Sequence, residues 1–193
     1  MLSSFNFYQA SSTLPIIWVA TRLQHNTNIP ITYRKLAFAN AIVSFIYHGL
    51  QTPCKWKNWS ASYSNNNDEE NEKQKIKTYI RCVDLSLVCM LSEYVALWGL
   101  VREKYIVMIA LFSCLSQKLT SLNFIIMLLI SIIRHKNKNM LWKKGIIYSF
   151  VGLSAFNICP KNKWIQPARY IWHASTAGLL HTGSHILNKQ LIK

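Results

Sequence analysis

The chain has 193 residues, is 51% hydrophobic and only 15% charged, and carries a net charge of +15. Soluble domains usually hold about 25% charged residues, so with a positive mean hydropathy this is the composition of a single-domain membrane protein. The basic residues fall between apolar stretches and form no continuous patch, which argues against nucleic acid as a partner and suits membrane lipids with anionic headgroups.

Seven apolar stretches follow one another, at about 7–22, 35–52, 79–101, 104–117, 119–134, 142–159 and 165–187. A spanning helix needs about 20 residues, so the shorter stretches imply tilt or local thinning. The sequence predicts an all-α fold, one seven-transmembrane helical bundle over 1–193. The first stretch is the weakest, and without a basic region before it a cleaved signal peptide is not expected. Only Gln117 and Lys118 separate the fourth and fifth stretches. We read them as two spans, because a lysine at the bilayer centre is expensive. The segment at about 53–78 is polar and low in complexity (SASYSNNNDEENEKQK) and is expected to be a mobile loop outside any core.

With the amino terminus outside or lumenal, 12 of the 22 basic residues fall on the cytoplasmic side, and the run from Arg134 to Lys144 is the clearest inside marker. The sequon Asn58-Trp59-Ser60 then falls outside. Trp56, Trp59, Trp142 and Trp164 lie near span ends, where indole favours the interface. The organelle stays open between plasma membrane and endomembrane. The five cysteines, Cys54, Cys82, Cys89, Cys114 and Cys159, form no CxxC. Cys89 reads as a small buried residue, and the spacing chooses no disulfide pair.

Polar groups inside the spans are the sharpest signal, since each is costly unless it faces protein, water or a metal. Ser44 and His48 share a face of the second span, Asp84 lies near the start of the third, and His173 lies in the seventh. Counted from the outer ends at 1.5 Å per residue, His48, Asp84 and His173 fall at similar depth. Two imidazoles and a carboxylate at one level fit a zinc site, with His48 and His173 as metal ligands. Zinc would lower the pKa of a water and polarise a carbonyl. Asp84 would accept the proton or orient a ligand histidine, and Ser44 would donate to the developing oxyanion. His181 and His185 share a face at i, i+4, a spacing that can bind metal, but lie roughly 12 and 18 Å deeper than His173; we read both as polar packing residues, with the interface as the alternative for His185 near the inner end. Glu93 is a further costly mid-span group.

SxxxH on the second span (Ser44, His48), an aspartate near the start of the third (Asp84) and WHAST in the seventh (Trp172–Thr176) resemble a superfamily of seven-span proteins. It includes the alkaline ceramidases, the progestin and adiponectin receptors, the GPI-remodelling hydrolases and the myomaker-like proteins. IVSFIYH (Ile42–His48) and the compact size look most like the myomaker branch. The resemblance implies a zinc-dependent membrane hydrolase, a lipid amidase or esterase, with Ser44 and Asp84 catalytic and His48 and His173 on the metal. There are two departures: the gap between His48 and Asp84 is longer than in most of the family, as a polar insertion in the outer loop would explain, and the last span lacks a histidine. The family's last span reads HxxxH, and its first histidine aligns with Arg169, which cannot ligate zinc. Arg169 would instead position an anionic lipid group, or pair with Asp84 in place of the metal. The alternative is a non-catalytic receptor, membrane-remodelling protein or complex subunit with a relic site.

Overall fold

The computed structural model describes residues 5–50, 68–113, 117–135, 141–158 and 165–191. Helices joined by turns make up nearly all of them, in the order α1 (Phe7–Ala10), a 3-10 turn (Ser11–Thr13), α2 (Leu14–Gln24), α3 (Ile31–Gly49), α4 (Asp68–Leu97), α5 (Glu103–Ser113), α6 (Gln117–His135), α7 (Leu141–Ile158) and α8 (Ile165–Leu191).

The first apolar stretch is not one helix. The hydroxyls of Ser11, Ser12 and Thr13 donate to the carbonyls of Tyr8, Gln9 and Ala10 at 2.7, 2.9 and 2.7 Å. Such local bonds compete with regular helix, and Pro15 opens α2 where a missing N–H costs nothing. The fourth and fifth stretches are separate helices, as expected. The polar segment expected to run to about 78 is helical from Asp68 onward.

Helix α4 has 30 residues, about 45 Å of helix. It packs on α3, α5, α6 and α8. Its last carbonyls are capped from α6, where Arg134 donates to Ala96 and Trp98 at 2.5 and 2.9 Å. Gly99 then turns the chain at φ 74°, in the left-handed region. Helix α8 packs on α7, α2, α4 and the 3-10 turn.

The apolar core joins Ile16, Val19, Ala20 and Leu23 to Tyr33, Ala37, Tyr94, Leu97, Leu180 and Leu187. Tyr33 crosses it to donate to the Leu180 carbonyl at 3.0 Å. A Cβ on Gly183 would lie 2.7 Å from both the Tyr33 hydroxyl and Val95, so only glycine admits that crossing.

Beside this apolar core, several polar groups are buried and several large apolar side chains face outward. Gln9, Asn40, Ser44, His48, Asp84, Glu93, Asn123, Arg169 and His173 are buried, while Trp18, Phe112, Leu129, Ile133, Ile147 and Phe150 are more than half exposed. Buried polar groups and outward apolar ones are the informative exceptions to ordinary burial. Among the described residues no helix is both long and apolar enough to cross a membrane.

Candidate functional site

The site begins on α3. Asn40, Ser44 and His48 recur at i, i+4 and i+8, and all three are buried. Across from them on α4 stands Asp84, also buried. Ser44 Oγ donates to Asp84 Oδ1 at 2.5 Å, and Asn40 Nδ2 reaches the same oxygen at 3.4 Å. The first is short and the second lies at the long edge of hydrogen bonding. Each polar group satisfies the other inside the bundle, which a lone buried carboxylate could not do.

Helix α8 supplies the third wall. His173 meets His48 edge to face, with ring centroids 4.6 Å apart and planes at 76°. It is 1% exposed. The backbone at Ser12 lies against the ring, but neither ring nitrogen has a hydrogen-bond partner in proper geometry. Arg169, one turn earlier on the same face, is 2% exposed. Its Nη1 donates to Gln9 Oε1 at 2.8 Å.

Gln9 belongs to α1, which with the 3-10 turn packs on α3 and α8 at one end of the site. The segment is fastened at both sides. The Asn6 amide donates to the Gly49 carbonyl at 2.8 Å, and Ser11 shares a 2.5 Å hydrogen bond with the Tyr170 hydroxyl. A Cβ on Gly49 would fall 2.0 Å from the Phe5 ring, so a glycine is required where the segment crosses α3.

The structure thus brings Ser44 to Asp84 and His48 to His173, and turns Arg169 toward Gln9. His181 and His185 are not part of this group. Both are exposed, with their rings facing each other at a centroid distance of 4.6 Å. Polar packing within the bundle, expected from the sequence, is therefore not their setting. Glu93, fully buried, accepts from Asn123 Nδ2 at 2.8 Å. It sits about 180° around α4 from Asp84 and serves the α4–α6 seam. Cys89 is buried, as expected. Cys54, Cys114, Cys159, the Asn58 sequon, Trp56, Trp59 and Trp164 lie outside the described residues, as does the side chain of Trp142.

An apolar pocket of about 110 Å³ lies between α3, α4, α6, α7 and α8, with Tyr33, Val88, Phe124, Met127, Leu153 and Leu179 among its lining. Trp172, the neighbour of His173, forms part of its wall. The sequence reading did not single out this pocket, because its residues come from five helices with no shared motif.

Sequence reasoning also missed Asn40 and Gln9. Asn40 carries a signal, a polar residue one turn before Ser44 in an apolar stretch. Gln9 carries none, since its role depends on the break after α1. Among the described residues no three His, Cys, Asp or Glu side chains gather closely enough to hold a metal ion. No protein-family model, curated protein or solved structure matches the chain.

Proposed function

We propose that the chain is a multi-pass membrane protein whose helices enclose a lipid amide or ester hydrolase site of the kind found in the seven-span superfamily it resembles. The burial pattern supports the membrane setting. Outward Phe112, Leu129, Ile133 and Phe150 suit acyl chains, and the polar residues that would be costly in lipid face each other inside. The observation that carries the site is the meeting of three helices, with His48 against His173 and Ser44 bonded to Asp84.

Zinc fits this pair of imidazoles in part. A buried His173 ring nitrogen without a hydrogen-bond partner is available as a ligand, and His48 faces the ring. A third protein ligand, usual in catalytic zinc sites, is not gathered there. Asp84 would take that place, or act from behind, only by loosening its bond to Ser44. When bound, zinc would supply Lewis acidity toward a lipid carbonyl. The residues do the rest. Asp84 accepts a proton from water, and the Ser44 hydroxyl donates to the oxygen on which negative charge develops. Arg169 orients an anionic group of the lipid, and the apolar pocket beside Trp172 receives hydrocarbon.

A second reading is favoured by one observation. Arg169 stands where the superfamily has a histidine and bonds to Gln9, as expected of a relic site in a receptor, membrane-remodelling protein or complex subunit. Turnover separates the two. Purified chain in mixed micelles with N-acyl and ester lipids should hydrolyse one of them, lose this on chelation and regain it with zinc. Absence of turnover in wild type, or equal turnover in His173→Ala, leaves the second reading.

A further inference from the structure

We propose that Lys144, His181 and His185 hold the phosphate of an anionic phospholipid between α7 and α8, with its acyl chains against the outer face of α7. This rests on the membrane setting proposed above and is independent of the hydrolase reading. The cluster lies roughly 12–18 Å along α8 from His173. A Cβ on Gly145 would lie 3.8 Å from Thr182, and one on Gly178 would fall 2.8 Å from the Tyr148 ring. The first two turns of α7 therefore lie directly against α8 at the level of His181. The two imidazoles stand exposed, with ring centroids 4.6 Å apart. Lys144 is also exposed, and both it and His185 are close enough to act on the charge of His181.

Charge identifies the ligand. From Lys104 to Lys193 the chain contains no Asp or Glu, so neither α7 nor α8 supplies a counter-charge. An ammonium and two imidazoles drawn together repel one another when protonated, and an anion between them turns that repulsion into attraction. The lysine is charged at neutral pH, and each imidazole has an N–H to donate even when neutral. A phosphate offers several oxygens to such donors. A metal ion on the histidine pair would instead sit beside the Lys144 ammonium, which repels it. The neighbouring surface identifies the source as lipid. Ile147 and Val151 lie within about 60° of Lys144 around α7 and are 59% and 39% exposed. They lead from the cluster toward the middle of α7, as acyl chains beneath a headgroup would. The sequence places the basic run from Arg134 to Lys144 on the cytoplasmic side, where anionic lipids gather.

The test measures binding of short-chain phosphatidic acid, phosphatidylcholine with the same chains, and glycerol phosphate to the full chain in detergent. The chains are ether-linked, so that no hydrolysis intervenes. Wild type should prefer phosphatidic acid to either of the others by about tenfold. Lys144→Gln and the double variant His181→Gln/His185→Gln should each weaken phosphatidic acid about tenfold and leave phosphatidylcholine unchanged. Both should melt like wild type, because all three side chains are exposed. Lys104→Gln removes an equal charge from the exposed start of α5 and should bind like wild type. Equal weakening there would assign the attraction to net charge and overturn the site. Glycerol phosphate bound as tightly as phosphatidic acid would overturn the lipid as its occupant. Loss of phosphatidic acid in Arg169→Gln, with the Lys144 and histidine variants unchanged, would place the lipid at the central site instead. A wild-type chain that stays in membranes on alkaline extraction yet shows no preference for phosphatidic acid overturns this site alone. A chain that leaves the membranes overturns the membrane setting and this site with it.

Discussion

His173 and the pair His181 and His185 share one continuous helix, yet one ring is sealed against His48 and Arg169's turn while the other two stand exposed. Helical geometry accounts for the difference. At about 100° per residue, Arg169 lies only about 40° from His173, whereas His181 and His185 are turned about 80° and 120° away. The same arithmetic separates the two carboxylates of α4. Asp84 faces α3, and Glu93, on the opposite side, faces Asn123 of α6. Depth brings residues to one level, but rotation about the axis decides which of them meet.

The comparison breaks most visibly in activity. His173→Ala and Asp84→Asn should each lower lipid turnover by about 100-fold or more, the range of a lost acid–base or metal-holding group. The double variant His181→Ala/His185→Ala should stay within about twofold of wild type in the same assay. A double variant as impaired as His173→Ala would mean that exposure had misled us about which histidines matter.

A second contrast concerns the outer surface and the tips of the bundle. Phe150→Lys places a charge on the exposed apolar face of α7 and should cost about 2.5–3.5 kcal/mol of insertion. The measurement is the fraction of chain recovered in membranes after alkaline extraction. A lysine in place of Leu100, exposed in the turn after α4, should leave that fraction unchanged. Equal recovery for both variants would remove the membrane setting.

Packing inside the bundle sharpens the picture further. Gly183→Ala forces a methyl group to within 2.7 Å of Tyr33 and Val95 and should destabilise by about 1–3 kcal/mol. Gly145→Ala meets only Thr182, at 3.8 Å, and should stabilise α7 by about 0.5–1 kcal/mol. Thermal melting in detergent reads both. The smallest effect is expected from Asn40→Ala, because its bond to Asp84 is long at 3.4 Å beside the 2.5 Å bond from Ser44. A fewfold loss of turnover is expected, and a loss equal to that of Ser44→Ala would rank the two donors alike.

Most of the helices were legible in the sequence, because apolar runs bounded by basic and polar residues mark their ends. Ser44 and His48 were legible as a shared face, and the common depth of His48, Asp84 and His173 foretold the contact of the two rings. What was not legible depended on details below that scale. Three successive hydroxyls, Ser11, Ser12 and Thr13, broke the first stretch and so placed Gln9 on Arg169. Helix α4 begins at Asp68, inside the segment expected to be loop. The outward turn of His181 and His185 was available from residue spacing alone, but depth by itself does not reveal it.

The central claim is that His48 and His173 form one metal-holding pair inside the bundle. Elemental analysis of zinc per chain in the purified protein tests it most directly, with His48→Ala, His173→Ala and the His181→Ala/His185→Ala double variant measured beside wild type. The account predicts zinc in wild type and in the double variant, and its loss in both single variants. Equal zinc in all four proteins, or none in wild type, would contradict it.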